Sequence, residues 1–139
     1  MDKPSLKSRI KKILSALVSD PVELSVLLVD DRTIAELNSQ YLNRRRPTNV
    51  LSFPMREGPF SEDQPEILGD VVISVETASR EAEDSGITVG ERLDFLLIHG
   101  ILHLFGYDHE EDESEARIME EKTEELMTLL RSEAPLPSS

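Results

Sequence analysis

Residues 93–105, LDFLLIHGILHLF, constrain this chain more than any other segment. A helix here is apolar around nearly its whole circumference, and such a helix belongs in the interior. It nevertheless carries His99 and His103, four apart, so their rings project from one face, one turn apart. Buried imidazoles need hydrogen-bond partners. One ion satisfies both, because nitrogens at this spacing can reach a common metal at about 2.0–2.1 Å. The bland alternative is a set of core histidines, each satisfied by ordinary neighbours. Gly106 follows three residues after His103. Glycine just past a helix readily takes the left-handed conformation that ends it. The chain then turns through Tyr107 and Asp108 and can bring His109 back to the same point. Three protein nitrogens with an open fourth position are how a catalytic zinc site is built. Imidazole suits zinc first, and nickel, copper and iron after it.

The rest of the chain narrows the class of protein. Its 139 residues fit one domain over 1–139, with a frayed tail over about 132–139. It has no cysteine, which excludes disulfides, thiolate zinc sites and a cysteine nucleophile. No apolar run approaches the ~20 residues of a membrane span, and the first residues lack the pattern of a signal peptide. The expectation is a cytoplasmic protein with no membrane partner. Net charge is −13, which argues against polyanions in general and gives no reason to expect DNA. That charge is unevenly placed: ten acidic and three basic residues lie from Glu110 onward, whereas Arg44, Arg45, Arg46 and Arg56 stand in a stretch without acids.

Hydrophobic period and breakers place the elements. Leu6, Ile10, Ile13, Leu14 and Leu17 recur at helical spacing over 5–18, and Asp20-Pro21 ends that helix. Val22–Val29 reads as a strand. Asp30 or Asp31 caps a helix to about Asn43, with Ile34, Leu37 and Tyr41 on one face. Val50–Met55 is a short strand, residues 56–65 a loop, and Ile67–Val75 a buried strand in which Gly69-Asp70 suggests a bulge. Glu76–Ser85 is helical and closed by Gly86. Thr88 opens the histidine helix, with Glu91 completing a capping box, and that helix runs to about Phe105. A last acidic helix covers about Asp112–Arg131, with Ile118, Leu126, Leu129 and Leu130 as its core stripe. The expected fold is α+β: a small mixed sheet packed by about five helices, one of them central, buried and metal-binding.

His99, His103, Gly106 and His109 reproduce the H-x-x-x-H-x-x-G-x-x-H frame of metzincin proteases. Those enzymes place a glutamate after the first histidine as general base. Here Gly100 stands there. Metal-assisted hydrolysis stays open, and peptide cleavage loses its base.

Two longer motifs, HGILHLFGYDH (99–109) and PTNVLSFP (47–54), with ILGDVVIS (67–74) between them, resemble the YbeY family of bacterial rRNA maturation factors. The resemblance spans about residues 22–130. Members are described as metal-dependent single-strand endoribonucleases. It implies one zinc ion on His99, His103 and His109, action at the 3′ end of 16S rRNA and in ribosome quality control, and the small ribosomal subunit as partner. Many members carry an arginine in a [FY]-R-x-K-D pattern before P-T-[DN]-V. This chain reads Tyr41-Leu42-Asn43-Arg44-Arg45-Arg46, with Leu42 in the arginine's place.

Arg44, Arg45 and Arg46 are the candidate substrate-binding residues, since guanidinium groups bind phosphate bidentately. A solvated surface, or a complement to the preceding helix C-terminus, is the ordinary alternative. The nucleophile, water or the RNA's own 2′-hydroxyl, stays open. Asp108 is as well suited to orienting a histidine ring as to acting as a base. The competing functions are a zinc hydrolase of another class and a non-enzymatic assembly factor with a structural metal.

Overall fold

The run Val71–Ile73 is branched and apolar throughout, as befits a strand covered on both faces. It lies in β3 (Ile67–Ser74), the middle strand of a three-stranded sheet in the computed structural model, which describes residues 3–18, 22–42, 48–54, 67–107 and 113–131. β1 (Glu23–Val29) pairs with it in parallel, Val26 opposite Val71, and β2 (Val50–Pro54) antiparallel, Leu51 opposite Val72. The helices are α1 (Lys3–Leu17), α2 (Asp31–Leu42), α3 (Val75–Ser85), α4 (Val89–Leu104) and α5 (Glu113–Arg131). This is the expected small mixed α+β arrangement of five helices on one sheet. None of these helices is long and apolar enough to cross a membrane.

The two faces of the sheet are covered unequally. Val71 and Ile73 point into the main core, built with Ile13 of α1, the apolar residues of α4, and Met119, Leu126, Met127 and Leu130 of α5. Val72 points the other way, against Ile34 of α2 and Leu51. The bulge expected at Gly69-Asp70 sits one step earlier. Glu23 faces Ile67 and Leu24 faces Gly69, so Leu68 is the extra residue. That insertion turns Leu68 into the same core as Val71 and Ile73, against simple alternation.

Caps fix the helix ends. Asp30 accepts from the Thr33 amide at 2.8 Å and caps α2. Asp31 instead reaches the start of α3. It accepts from the hydroxyls of Ser74 and Thr77, each at 2.6 Å, and from Arg80 at 2.8 Å. Those donors, the Ser74 hydroxyl foremost, hold its carboxyl down at about 2. α3 begins at Val75, one residue before the expected Glu76, because Ser74 is its N-cap and accepts from the Thr77 amide.

Two apolar assignments are corrected. Tyr41 does not share the buried face of α2: it is 61% exposed and packs edge-on to Phe53, and Asn38 is buried in its stead. Ile118 is 54% exposed, and the buried stripe of α5 runs through Met119, Thr123, Leu126, Met127 and Leu130. Both errors have one cause. A 3.6-residue period allows neighbouring stripes a single residue apart, and the packing partner chooses between them.

Candidate active site

α4 positions the site. Thr88 accepts from the Glu91 amide at 3.1 Å, which caps the helix as its sequence suggested. At the other end Gly106 adopts φ 94°, with its amide on the His103 carbonyl and the Tyr107 amide on the Leu102 carbonyl, both at 3.0 Å. That pair of bonds is a Schellman stop, and the left-handed φ is why glycine stands there.

Leu93, Leu96, Leu97, Ile98, Ile101, Leu102 and Leu104 are buried. Gly100 is buried against the sheet: a Cβ there would lie 2.6 Å from Val71 Cγ1 and 3.2 Å from Val50 Cγ2. Ser52 of β2 donates to the Gly100 carbonyl at 2.9 Å. The position that carries the glutamate base in the peptidase frame is therefore pressed on the sheet, with no room for a side chain. Asp94 turns toward α1 and takes Arg9 at 3.0 Å, with both residues nearly inaccessible at 9% and 3%. Burial raises the Asp94 carboxyl to about 6, although the Arg9 charge pulls the other way.

Arg92, Phe95, His99 and His103 are only half-buried, and their spacing of three, four and four makes them one stripe along α4. His99 Nε2 and His103 Nε2 face each other at 3.0 Å, with ring centroids 4.6 Å apart at 72°. Two nitrogens bound to one tetrahedral ion at 2.0–2.1 Å stand about 3.3 Å apart, so this pair fits a shared ion with little adjustment. Without an ion, one ring must donate Nε2–H to the other. Phe95 stacks beside His99 at 6.0 Å and 27°, and the Arg92 guanidinium lies over Phe95 at 4.7 Å. Arg92 Nε donates to Glu81 at 2.9 Å, and Asn49 Nδ2 reaches the same carboxylate at 3.3 Å. Past His103, residues Phe105, Gly106 and Tyr107 line a groove of about 360 Å³ with Glu115 and Ile118 of α5.

Of the residues singled out from sequence, His99 and His103 are brought together. His109, Asp108, Arg44, Arg45 and Arg46 lie outside the described residues. Among the described residues no group of three or more His, Cys, Asp or Glu is gathered. Asn49 and Ser52, both in the PTNVLSFP motif, hold Glu81 and the Gly100 carbonyl. Arg92, Phe95 and Glu81 were missed. The i, i+3, i+7 spacing from Arg92 to His99 was the available signal, hidden because Phe95 counts as apolar in a helix apolar elsewhere.

Fold and site together define a class: a small α+β protein whose buried helix opens one polar stripe holding apposed imidazoles. Comparison with known proteins names the group within it. The family model "Endoribonuclease YbeY" matches residues 1–131. A Geobacter metallireducens Endoribonuclease YbeY is 50% identical over 131 residues, covering 94% of this chain and 87% of that protein. The Syntrophus aciditrophicus protein of the same name is 47% identical over 131 residues, covering 94% and 82%. The solution structure of a Thermotoga maritima protein superposes with a TM-score of 0.65 at 32% identity, covering 93% of this chain and 83% of the other. The chain belongs to the Endoribonuclease YbeY family.

Proposed function

We propose that this chain is a metal-dependent single-strand endoribonuclease that matures the 3′ end of 16S rRNA and serves ribosome quality control, in the cytoplasm and on the small ribosomal subunit. Membership of the family supports the endoribonuclease part of this reading. One geometric observation carries the chemistry: two imidazole nitrogens face each other at 3.0 Å on the accessible stripe of an otherwise buried helix.

His99 and His103 would hold one zinc ion, with His109 as the third ligand. When bound, zinc supplies Lewis-acid polarisation of a phosphodiester oxygen. The rest is the protein's own work. The helix backbone, pinned by Ser52 at the Gly100 carbonyl, sets the direction in which both rings project. Each ring must present Nε2 unprotonated, which places its proton on Nδ1. Arg44, Arg45 and Arg46 precede β2, which packs against α4, and they would take the RNA phosphates. Gly100 removes the base a peptidase would need.

The test is a paired preparation of wild type and His103→Ala, purified identically so that contaminating ribonuclease affects both equally. Wild type should carry one zinc per chain and cleave single-stranded RNA, and the variant should lose both. Retention of stoichiometric zinc by the variant overturns the site.

A further inference from the structure

The stripe of α4 does not end at the histidines. Phe95 lies four residues before His99 and Arg92 seven before it, about 6 and 10 Å along the axis at 1.5 Å per residue. Arg92 is held twice. Its Nε donates to Glu81 at 2.9 Å, and its guanidinium carbon sits 4.7 Å from the Phe95 ring centre. Asn49 in turn donates to Glu81 from 3.3 Å, so the carboxylate is itself anchored. A guanidinium has five N–H donors, and only the Nε–H is engaged among the described residues. The two Nη groups retain donors for an acceptor outside the protein.

An aromatic ring and a flat cation, stacked and pre-ordered, form a surface that suits a nucleobase. Bases splayed from a single strand stack on aromatic rings and on guanidinium planes. A surface ordered before binding also loses less side-chain entropy than a free arginine would.

We propose that Arg92 and Phe95 form a nucleotide-binding subsite for the RNA strand, next to the bond that the histidine site acts on. The base of that nucleotide stacks on the Phe95–Arg92 pair, and its phosphate accepts from the Arg92 Nη groups. Stacking requires a base free of its duplex neighbours, so the subsite favours single-stranded substrate. Glu81 and Asn49 are positioning residues that act through Arg92. This inference rests on the endoribonuclease reading.

The experiment uses the full chain, loaded with zinc, and a labelled single-stranded oligoribonucleotide. Binding is followed by anisotropy at several salt concentrations, and cleavage by steady-state kinetics. Phe95→Leu keeps apolar volume but removes the π face, and it should raise KM by ~5–150-fold with kcat changed far less, in keeping with ~1–3 kcal/mol per stacked base. Arg92→Gln should raise KM and reduce the salt slope of binding by about 0.7, the value of one phosphate contact on a single strand. Arg32→Gln removes an equal charge from the exposed surface of α2 and should leave both quantities unchanged. KM and salt slope equal to wild type in folded Phe95→Leu and Arg92→Gln overturn the subsite while leaving the endoribonuclease reading intact. Wild-type protein that neither binds nor cleaves the RNA overturns both.

Discussion

Two sides of α4 differ in what they tolerate. On one side Gly100 sits against Val71 and Val50 with no space for even a methyl group. On the other, His99 and His103 hold two nitrogens together on a half-buried stripe. The first side is packing alone, and the second is the side on which we propose the chemistry. One helix can serve both because its period separates them by a fraction of a turn. The comparison teaches that changes on the histidine side should act on rate, and changes on the glycine side on stability.

The largest effect tests the histidine side. His103→Ala should lower RNA cleavage by ~10³-fold or more, equivalent to about 4 kcal/mol. In metal-free buffer its denaturation midpoint should stay close to that of wild type, since the ring is half-buried. A large loss of stability there would break the separation of the two sides.

The next effect concerns a third direction on the same helix. Asp94→Ala removes the buried carboxylate that accepts from Arg9 and should cost about 3 kcal/mol in urea denaturation. Replacing both, Arg9→Met with Asp94→Leu, should recover most of that loss, because an apolar pair avoids desolvating two charges. If the double variant is as unstable as the single one, burial is not what governs this contact.

Gly100→Ala should cost about 1–3 kcal/mol by overpacking, partly offset by the higher helix propensity of alanine. Val71 is β-branched and stiff on the central strand, so it yields poorly. Combining Gly100→Ala with Val71→Ala should therefore cost less than the sum of the two single changes, and strict additivity would show that Val71 is not the obstacle.

The last effect is read as a slope against pH. The folded state raises the Asp94 carboxyl from 3.8 to about 6, so it binds that proton more tightly than the unfolded chain does. Between about pH 4 and 6 this group therefore makes stability fall as pH rises, and its penalty is complete above about 6. Asp31 has the opposite sign. Lowered from 3.8 to about 2, it contributes stability above about pH 4 that is lost as pH falls toward 2. Comparing wild type with Asp94→Asn across pH 4–6 isolates the first term. The stability difference should move steadily in favour of the asparagine variant as pH rises, and a flat difference would refute the assignment.

Much of the architecture was legible before any coordinates. Helical spacing in α1, the branched runs of β1 and β3, the Thr88 cap and the Gly106 stop each depend on residues close in sequence, and each is found. The histidine pair was legible for the same reason, since four residues on a helix fix relative direction. Less legible were Ile118 and Tyr41, apolar residues that stay more than half exposed. The Arg9–Asp94 contact joins positions 85 apart, which no local pattern encodes.

What the sequence by itself determined is the type and ends of most elements, and the placing of His99 and His103 on one helical face. Tertiary structure alone decided which stripe of α4 stays open, why Gly100 admits no side chain, and that Glu81 and Asn49 anchor Arg92 beside the histidines. The physical reason is the near-uniform apolarity of α4. A helix apolar on almost every side has no intrinsic outward direction, and only the sheet and the helices packed around it choose one.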